Sequence, residues 1–420
     1  MNITLHKSKI ANRKSEITIT GSKSESNRLL LLQALYPEIN IENLSNSDDS
    51  QLMQKALQSS ESRIDIHHAG TAMRFLTAFF AIQDQREIVL TGSERMQERP
   101  IQILVKALQQ LGADISYVNK QGFPPLKIKG KELTKNKVTL DANVSSQYIS
   151  ALLLIASKLK NGLELTLKGQ ITSIPYIKMT LSLLNDIGVA TSFSNNIIKV
   201  KPQPSYLNPQ PSTLNPQTLI VESDWSSASY YYSIVALSKV GTEITLSSYK
   251  KNSLQGDSVV TEIYKEFGVE TRFKDKYITL KKSSIENRQS KIELDLSNSP
   301  DIAQTIAVTC FGLGIECILS GLHTLKIKET NRLLALKTEI EKLGGQVIVT
   351  EDTLHLLASK TIKENCTIST YKDHRMAMAF APLALKVSLV IEEASVVSKS
   401  YPDFWSDLKK LNFKISQKDL

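Results

Sequence analysis

The sequence predicts an α/β protein of two similar domains, each made of three repeated α/β units with buried central helices and outer sheets. Three observations lead there. A chain of 420 residues is too long for one ordinary hydrophobic core, which favours two domains. A pattern of amphipathic helix, glycine and strand recurs at near-constant spacing. Alternating with it is a second kind of helix, apolar on nearly every side, which belongs inside a layered fold rather than on its surface.

In chain order, "MNITLHKSKIANRKSEITIT" alternates like a strand, with Ile17 and Ile19 as apolar positions, and lacks the apolar core of a signal peptide. The clearest amphipathic copies are "IQILVKALQQLGADISY", "YIKMTLSLLNDIGVATSF", "VVTEIYKEFGVETRF" and "LLALKTEIEKLGGQVIV". Their closing glycines, Gly112, Gly188, Gly268 and Gly344, stand 76, 80 and 76 residues apart. Spacing makes the helix argument. Ile101, Leu104, Val105, Leu108 and Leu111 share one face, as do Val260, Ile263, Tyr264 and Phe267. A glycine just past the last periodic residue is a common helix stop. A fifth, diverged copy is "DDSQLMQKALQSS", from Asp48.

The six apolar helices open through polar residues: "SESNRLLLLQAL", "GTAMRFLTAFFAI", "SSQYISALLLIAS", "SSASYYYSIVAL", "SPDIAQTIAVTC" and "DHRMAMAFAPLAL". The boundary between domains falls near "VESDWSSAS", residues 221–229, after the proline-rich "KPQPSYLNPQPSTLNPQ". That stretch repeats "LNPQ", has no apolar period, and reads as an extended connection or a tolerated surface insertion.

Composition narrows the function classes. Hydrophobic residues make up 41% and charged residues 22%, ordinary for a soluble globular chain. No apolar run reaches the roughly 18 residues of a membrane helix, so the expectation is a cytoplasmic protein with no membrane partner. A net charge of +9 favours anionic partners. The lysines are dispersed rather than blocked, which argues against nucleic acid. Cys310, Cys317 and Cys366 have no metal-ligand spacing, and adjacent His67 and His68 point to opposite faces of a strand. No metal site is expected.

Candidate chemistry gathers at helix starts: Lys23, Ser24 and Arg28; Gly70 and Arg74; Arg95 and Arg99; Ser145, Ser146 and Gln147; Ser173; Asp301; Lys328, Glu329 and Arg332; His374 and Arg375. A helix N-terminus carries unpaired N–H groups and about half a positive charge, so it suits anions. A cation placed there costs about 0.3–1 kcal/mol unless an anion compensates. Singly, "SKSESNR" and "SSQY" are ordinary helix caps, "RMQERP" a basic loop before a proline, and "KETNR" a solvated charge run. "DHRMAM" is harder to dismiss, because His374 and Arg375 open a helix otherwise made of Met, Ala and Phe. Together, on repeated elements, these stretches point to a site with several arginines and an anionic ligand.

The ordered set "GSKSESNR", "AGTAMR", "RMQERP", "SSQY", "SIPY", "SPDIA", "KETNR", "DHRMAMA" and "SKSYPDFW" closely resembles the 5-enolpyruvylshikimate-3-phosphate synthase family over essentially the whole chain. The resemblance implies the enolpyruvyl transferase-like inside-out α/β barrel, without cofactor. It also implies a monomer that transfers the enolpyruvyl group of phosphoenolpyruvate to the 5-hydroxyl of shikimate 3-phosphate, through a tetrahedral intermediate. It puts residues 21–224 in a domain holding shikimate 3-phosphate and part of the phosphoenolpyruvate site. Residues 1–20 and 225–420 form the domain with the carboxylates and the phosphoenolpyruvate arginines, and the two close around substrate. Carried over by motif, Lys23, Ser24, Arg28, Ser145, Ser146, Gln147, Ser173, Asp301 and Lys328 look like shikimate 3-phosphate contacts, with Tyr176 in the motif of Ser173. Lys23, Gly70, Arg95, Gln147, Arg332, Arg375 and Lys399 look like the phosphoenolpyruvate side. Asp301 resembles the base for the 5-hydroxyl, and Glu329, with Lys23, the acid for the methylene carbon.

The chain departs from the family where asparagine is common at His68 and Thr324 and aspartate is frequent at Asn331. Gly70 matches the family's small residue in the phosphoenolpyruvate pocket, so sensitivity to glyphosate is expected. A same-fold transferase acting on UDP-N-acetylglucosamine and a non-catalytic ligand-binding relative are the alternatives. "GSERMQERP" lacks the reactive cysteine frequent in the former, and retention of Lys23, Asp301 and Glu329 argues against the latter.

Overall fold

A computed structural model of the protein describes residues 1–10, 14–141, 145–169, 171, 173–202, 218–285 and 289–418. The "LNPQ" repeats lie outside the described residues. The chain divides into two compact units, Ser22–Val221 and Met1–Gly21 with Glu222–Leu420.

In the contiguous unit the helices are α1 (Lys23–Leu35), α2 (Asp48–Gln58), α3 (Gly70–Ala81), the single turn α4 (Glu94–Gln97), α5 (Gln102–Leu111), α6 (Ser146–Ala156) and α7 (Ile174–Asp186). One module shows the plan. Strand Arg63–Asp65 leads through buried α3 to a parallel neighbour, Glu87–Thr91. Amphipathic α5 then leads to the antiparallel pair Asp114–Tyr117 and Leu126–Lys129. The strand order within the sheet is first, second, fourth, third. The same order is kept by the sheet around α6 and α7. The module of α1 and α2 is reduced to two parallel strands, Asn40–Glu42 and Thr218–Ile220.

The other unit holds α8 (Trp225–Leu237), α9 (Val260–Ile263), α10 (Ala303–Leu313), α11 (Arg332–Lys342), α12 (His374–Phe380) and α13 (Phe404–Lys410), with three sheets of the full four-stranded plan. Its N-terminal residues supply two strands. Lys14–Ile17 runs parallel to Glu243–Ser247. Asn2–His6 lies between Leu389–Ile391 and Lys414–Lys418, antiparallel to both.

All six apolar helices are interior. Leu29, Leu30, Leu31 and Leu32 of α1 are all buried, as is every residue of α3 and α12 and every residue of α8 except the half-buried Ser226. Four consecutive buried leucines leave that part of the helix no solvent face; α1 is enclosed there and exposes a residue only towards its C-terminal end, at Ala34. Each contributes about 1.5–3 kcal/mol from burial. Around α3 pack α1 and α6; α10 packs against α8 and α12. The amphipathic helices close each module from outside. In α5, Leu104, Val105, Leu108 and Leu111 are buried and Lys106, Gln109 and Gln110 exposed. Gly112 ends it at φ 105°, a left-handed conformation that glycine adopts without a Cβ penalty.

Two details differ from the expectation. The predicted helix over 260–267 is broken into 3₁₀ turns on either side of the short α9, although Val260, Ile263, Tyr264 and Phe267 are all buried. The β-branched run Val259, Val260 and Thr261 disfavours a regular helix there. A sixth amphipathic copy exists that spacing of glycines missed: α13 is followed by Asn412, φ 63°, before strand Lys414–Lys418. Asparagine is the residue besides glycine that most readily takes this stop.

Candidate active site

In the contiguous unit, the starts of α1, α3, α6 and α7 are laced together by side chains. Arg28, one turn into α1, is the knot. Its Nε donates to Thr180 Oγ1 (2.8 Å) on α7, Nη2 to Ser150 Oγ (2.9 Å) on α6, and Nη1 to the Ser24 carbonyl (2.7 Å). Its guanidinium lies over the Phe75 ring of α3 and the Tyr176 ring of α7. Burial pushes Arg28 down to about 10. The oxygens that hold it are neutral.

The expected serine cap on α1 is absent. Ser22 occupies the N-cap position without a side-chain cap, and Ser26 Oγ is engaged by the Ser45 N–H. Among the described residues no side chain caps α3 or α7 either. Ser173, at the start of α7, sits at φ 54°, ψ 41°, a left-handed conformation that costs a non-glycine residue about 1–2 kcal/mol. Strain of this kind gathers at functional sites. Ser145 does cap α6, accepting from the Gln147 N–H, and Gln147 Nε2 reaches Thr71 Oγ1 on α3 (3.2 Å).

The cations here find different partners. Lys23 Nζ is 3.1 Å from Asp49 Oδ2 in the first turn of α2, so the protein itself supplies an anion for this helix start. Arg74 donates to the carbonyls of Gly70 (3.1 Å) and Pro100 (3.3 Å), tying the 94–100 loop to α3. Arg95 is exposed and paired with Glu98 (2.9 Å). Arg99, which the motif carry-over left out, covers the start of α3. A Cβ built on Gly70 would lie 2.5 Å from Arg99 Nη1. Gly70 is therefore needed for the close approach of a guanidinium.

The other unit carries a carboxylate–cation network. Arg332, at the start of α11, is 2.8 Å from Asp301, 2.9 Å from Glu329 and 2.7 Å from Asp373. Asp373 also caps α12 through the Arg375 N–H (2.9 Å). Arg375 donates to the Asp301 carbonyl (3.1 Å) and to Ser226 Oγ (3.1 Å), and its Nη2 is 3.3 Å from Asp301 Oδ2. Lys328 is 3.5 Å from the same carboxylate. Burial pushes the Asp301 carboxyl up, but Arg375, Lys328 and Arg332 outweigh it and hold it well below the usual carboxylate range. Burial pushes Lys328 down, against the pull of Asp301. Lys399 donates to the Lys372 carbonyl ahead of α12 (2.7 Å). The network can hold anions on fixed arginines while keeping a charged carboxylate at hand.

Of the three departures, Asn331 is the N-cap of α11, accepting from the Leu334 N–H (3.3 Å), a task aspartate does equally well. His68 Nε2 is 3.9 Å from Asp48. Thr324 Oγ1 is buried without a hydrogen-bond partner among the described residues. Sequence reasoning missed Asp49 and Asp373, while Arg99 was named among the helix-start cations but not among the ligand contacts. Asp49 and Asp373 stand inside quoted stretches, which was the available signal. Among the described residues no group of three or more His, Cys, Asp or Glu is placed to hold a metal ion.

The sequence model described as EPSP synthase (3-phosphoshikimate 1-carboxyvinyltransferase) matches residues 54–408. The 3-phosphoshikimate 1-carboxyvinyltransferase of Bacteroides fragilis is 47% identical over 407 residues, covering 96% of each chain. EPSP synthase from Acinetobacter baumannii superposes with a TM-score of 0.77 at 20% identity, covering 99% of this chain and all of that one. The enolpyruvyl transferase NikO from Streptomyces tendae gives 0.70 at 12% identity, covering 99% and 98%.

Proposed function

The chain belongs to the EPSP synthase (3-phosphoshikimate 1-carboxyvinyltransferase) family, and from that premise we propose how its residues divide the work. The enzyme transfers the enolpyruvyl group of phosphoenolpyruvate to the 5-hydroxyl of shikimate 3-phosphate and releases phosphate, a step of aromatic amino acid biosynthesis.

In this reading Ser24, Arg28, Ser145, Ser146, Gln147 and Ser173 hold shikimate 3-phosphate, joined by Lys23, Asp301 and Lys328. The uncapped starts of α1 and α7, and the fixed Arg28 knot, support it. Phosphoenolpyruvate is held by Arg332, Arg375, Lys399, Arg95, Lys23 and Gln147, with Gly70 and Arg99 at the start of α3. Arginine's planar fork suits both carboxylate and phosphate.

The addition step removes the 5-hydroxyl proton to Asp301 as the oxygen bonds to C2 of phosphoenolpyruvate. Glu329, assisted by Lys23, delivers a proton to C3 and completes a tetrahedral ketal. Elimination reverses the C3 proton transfer to Glu329 while the C2–O bond to phosphate breaks. The observation that carries this assignment is Arg332, which touches both Asp301 and Glu329. One buried guanidinium thereby fixes the two carboxylates at one distance from each other. An anionic substrate on Arg332 and Arg375 would partly offset the charges holding Asp301 down, raising its basicity only when substrate is bound.

Phosphate release from the purified protein supplied with both substrates tests the activity. Release with UDP-N-acetylglucosamine but none with shikimate 3-phosphate would overturn it. The enzyme works as a cytoplasmic monomer in this reading, and sedimentation at micromolar concentration checks the oligomeric state.

A further inference from the structure

Asp257 lies in the turn before α9, outside every motif that carries the family resemblance, yet it is joined to the carboxylate–cation network. It is 2% exposed. Its Oδ2 accepts a hydrogen bond from the Ser226 hydroxyl, and Ser226 Oγ in turn accepts from Arg375 Nη2 at 3.1 Å. The single hydroxyl proton of Ser226 can point only one way, so the guanidinium, the hydroxyl and the carboxyl form a directional chain. The same Nη2 is 3.3 Å from Asp301 Oδ2. Asp257 Oδ1 is buried with no hydrogen-bond partner among the described residues.

The charged groups facing Asp257 are Asp224 from the cap of α8, Asp301 from the turn ahead of α10, and Arg375 from α12. On α9, Glu262 is exposed and paired with Lys265. Tyr230 of α8 is kept protonated by burial. Burial, then Asp301, push the Asp257 carboxyl up to about 7, against the opposing pull of Arg375 and Ser226. A neutral carboxyl also suits the orphaned Oδ1, because an ionised oxygen left unpaired in the interior is costly.

We propose that Asp257 is a positioning residue for phosphoenolpyruvate: through Ser226 it orients Arg375, and a negative charge on its carboxyl weakens the hold of Arg375 on the substrate. The inference rests on the reading of Arg375 as a phosphoenolpyruvate ligand. When neutral, Asp257 leaves the guanidinium's charge for the substrate. When ionised, it draws Arg375 towards Ser226 and sets a second negative charge beside a site for an anion.

The test compares KM for phosphoenolpyruvate between pH 6 and 8.5 in the wild type, Asp257→Asn and Ser226→Ala, with shikimate 3-phosphate saturating. Substrate titration is common to all three and cancels in the ratios. The wild-type KM should rise about three- to tenfold more than that of Asp257→Asn, whose neutral side chain cannot ionise. Ser226→Ala should raise KM about threefold at pH 6, by removing the oxygen that steadies Arg375. A second measurement needs no turnover. A carboxyl whose folded value is raised contributes stability below its unfolded value of about 4 and loses it as pH rises through the folded value. The melting temperature of the wild type should therefore fall more between pH 6 and 8.5 than that of Asp257→Asn. Parallel KM profiles in wild type and Asp257→Asn overturn the proposal. If instead Arg375→Ala binds phosphoenolpyruvate normally, the site reading itself is what fails.

Discussion

The helix starts of the two units are furnished in opposite ways. In the contiguous unit α1, α3 and α7 begin without side-chain caps, and Arg28 is surrounded by hydroxyls and carbonyls. In the other, α8 and α12 are capped by Asp224 and Asp373, and Asp301 and Glu329 share Arg332. Neutral oxygens fix a guanidinium without spending its charge, which leaves a field that favours an anion. Carboxylates spend that charge and gain groups that can exchange protons. One architecture, repeated, thus carries a guanidinium held by neutral oxygens in one place and carboxylates sharing a guanidinium in another. The difference lies in which side chains stand in the first turn.

The sharpest way to break this division is Glu329→Gln, which keeps shape and hydrogen bonding but cannot carry the proton. Turnover should drop about 10²–10⁴-fold with substrate binding nearly unchanged. Near-normal turnover in a steady-state assay removes the acid–base role. Next in size is Arg375→Ala, for which phosphoenolpyruvate affinity should fall about 30–100-fold, equivalent to about 2–3 kcal/mol for a charge-assisted contact, while shikimate 3-phosphate affinity changes little. Equal losses in titration calorimetry would contradict the split between ligands. Arg28→Lys attacks the other unit. Losing the fork to Thr180 and Ser150 should cost about 1–3 kcal/mol of stability and weaken shikimate 3-phosphate, without altering the pH profile. A changed profile would show that this unit shares in proton transfer. The smallest effect is assigned to Gly70→Ala. The added methyl displaces a flexible Arg99 head rather than backbone, so KM for phosphoenolpyruvate should rise only a few-fold and inhibition by glyphosate weaken with it. Unmodified enzyme that resists glyphosate at concentrations well above phosphoenolpyruvate would remove Gly70 from the pocket.

The interior helices were legible because their composition leaves no choice: no arrangement can expose one side of "RLLLLQAL" and bury the other. Glycine stops were legible for the same local reason, and Asn412 was overlooked because asparagine is less diagnostic. The reduced two-stranded module was hidden, since Thr218–Ile220 pairs with Asn40–Glu42 across most of the unit's length. At the site, residues within motifs were nameable but their partners were not. Asp49 beside Lys23, Asp373 beside Arg332 and Asp257 behind Ser226 have no periodic signal. They are joined by packing between elements 26 to 41 residues apart or by a hydroxyl relay.

The strand at Asn2–His6 has its two sheet partners at Leu389–Ile391 and Lys414–Lys418. On a ribosome adding roughly 5–20 residues per second, the earlier segment emerges tens of seconds before either partner exists. Ser22–Val221, by contrast, contains both strands of every pairing it makes and can complete its core while synthesis continues. Biosynthesis therefore imposes an order on the molecule: the contiguous unit matures first, and the other stays open, with a waiting edge at residues 2–6, until the last sheet is closed.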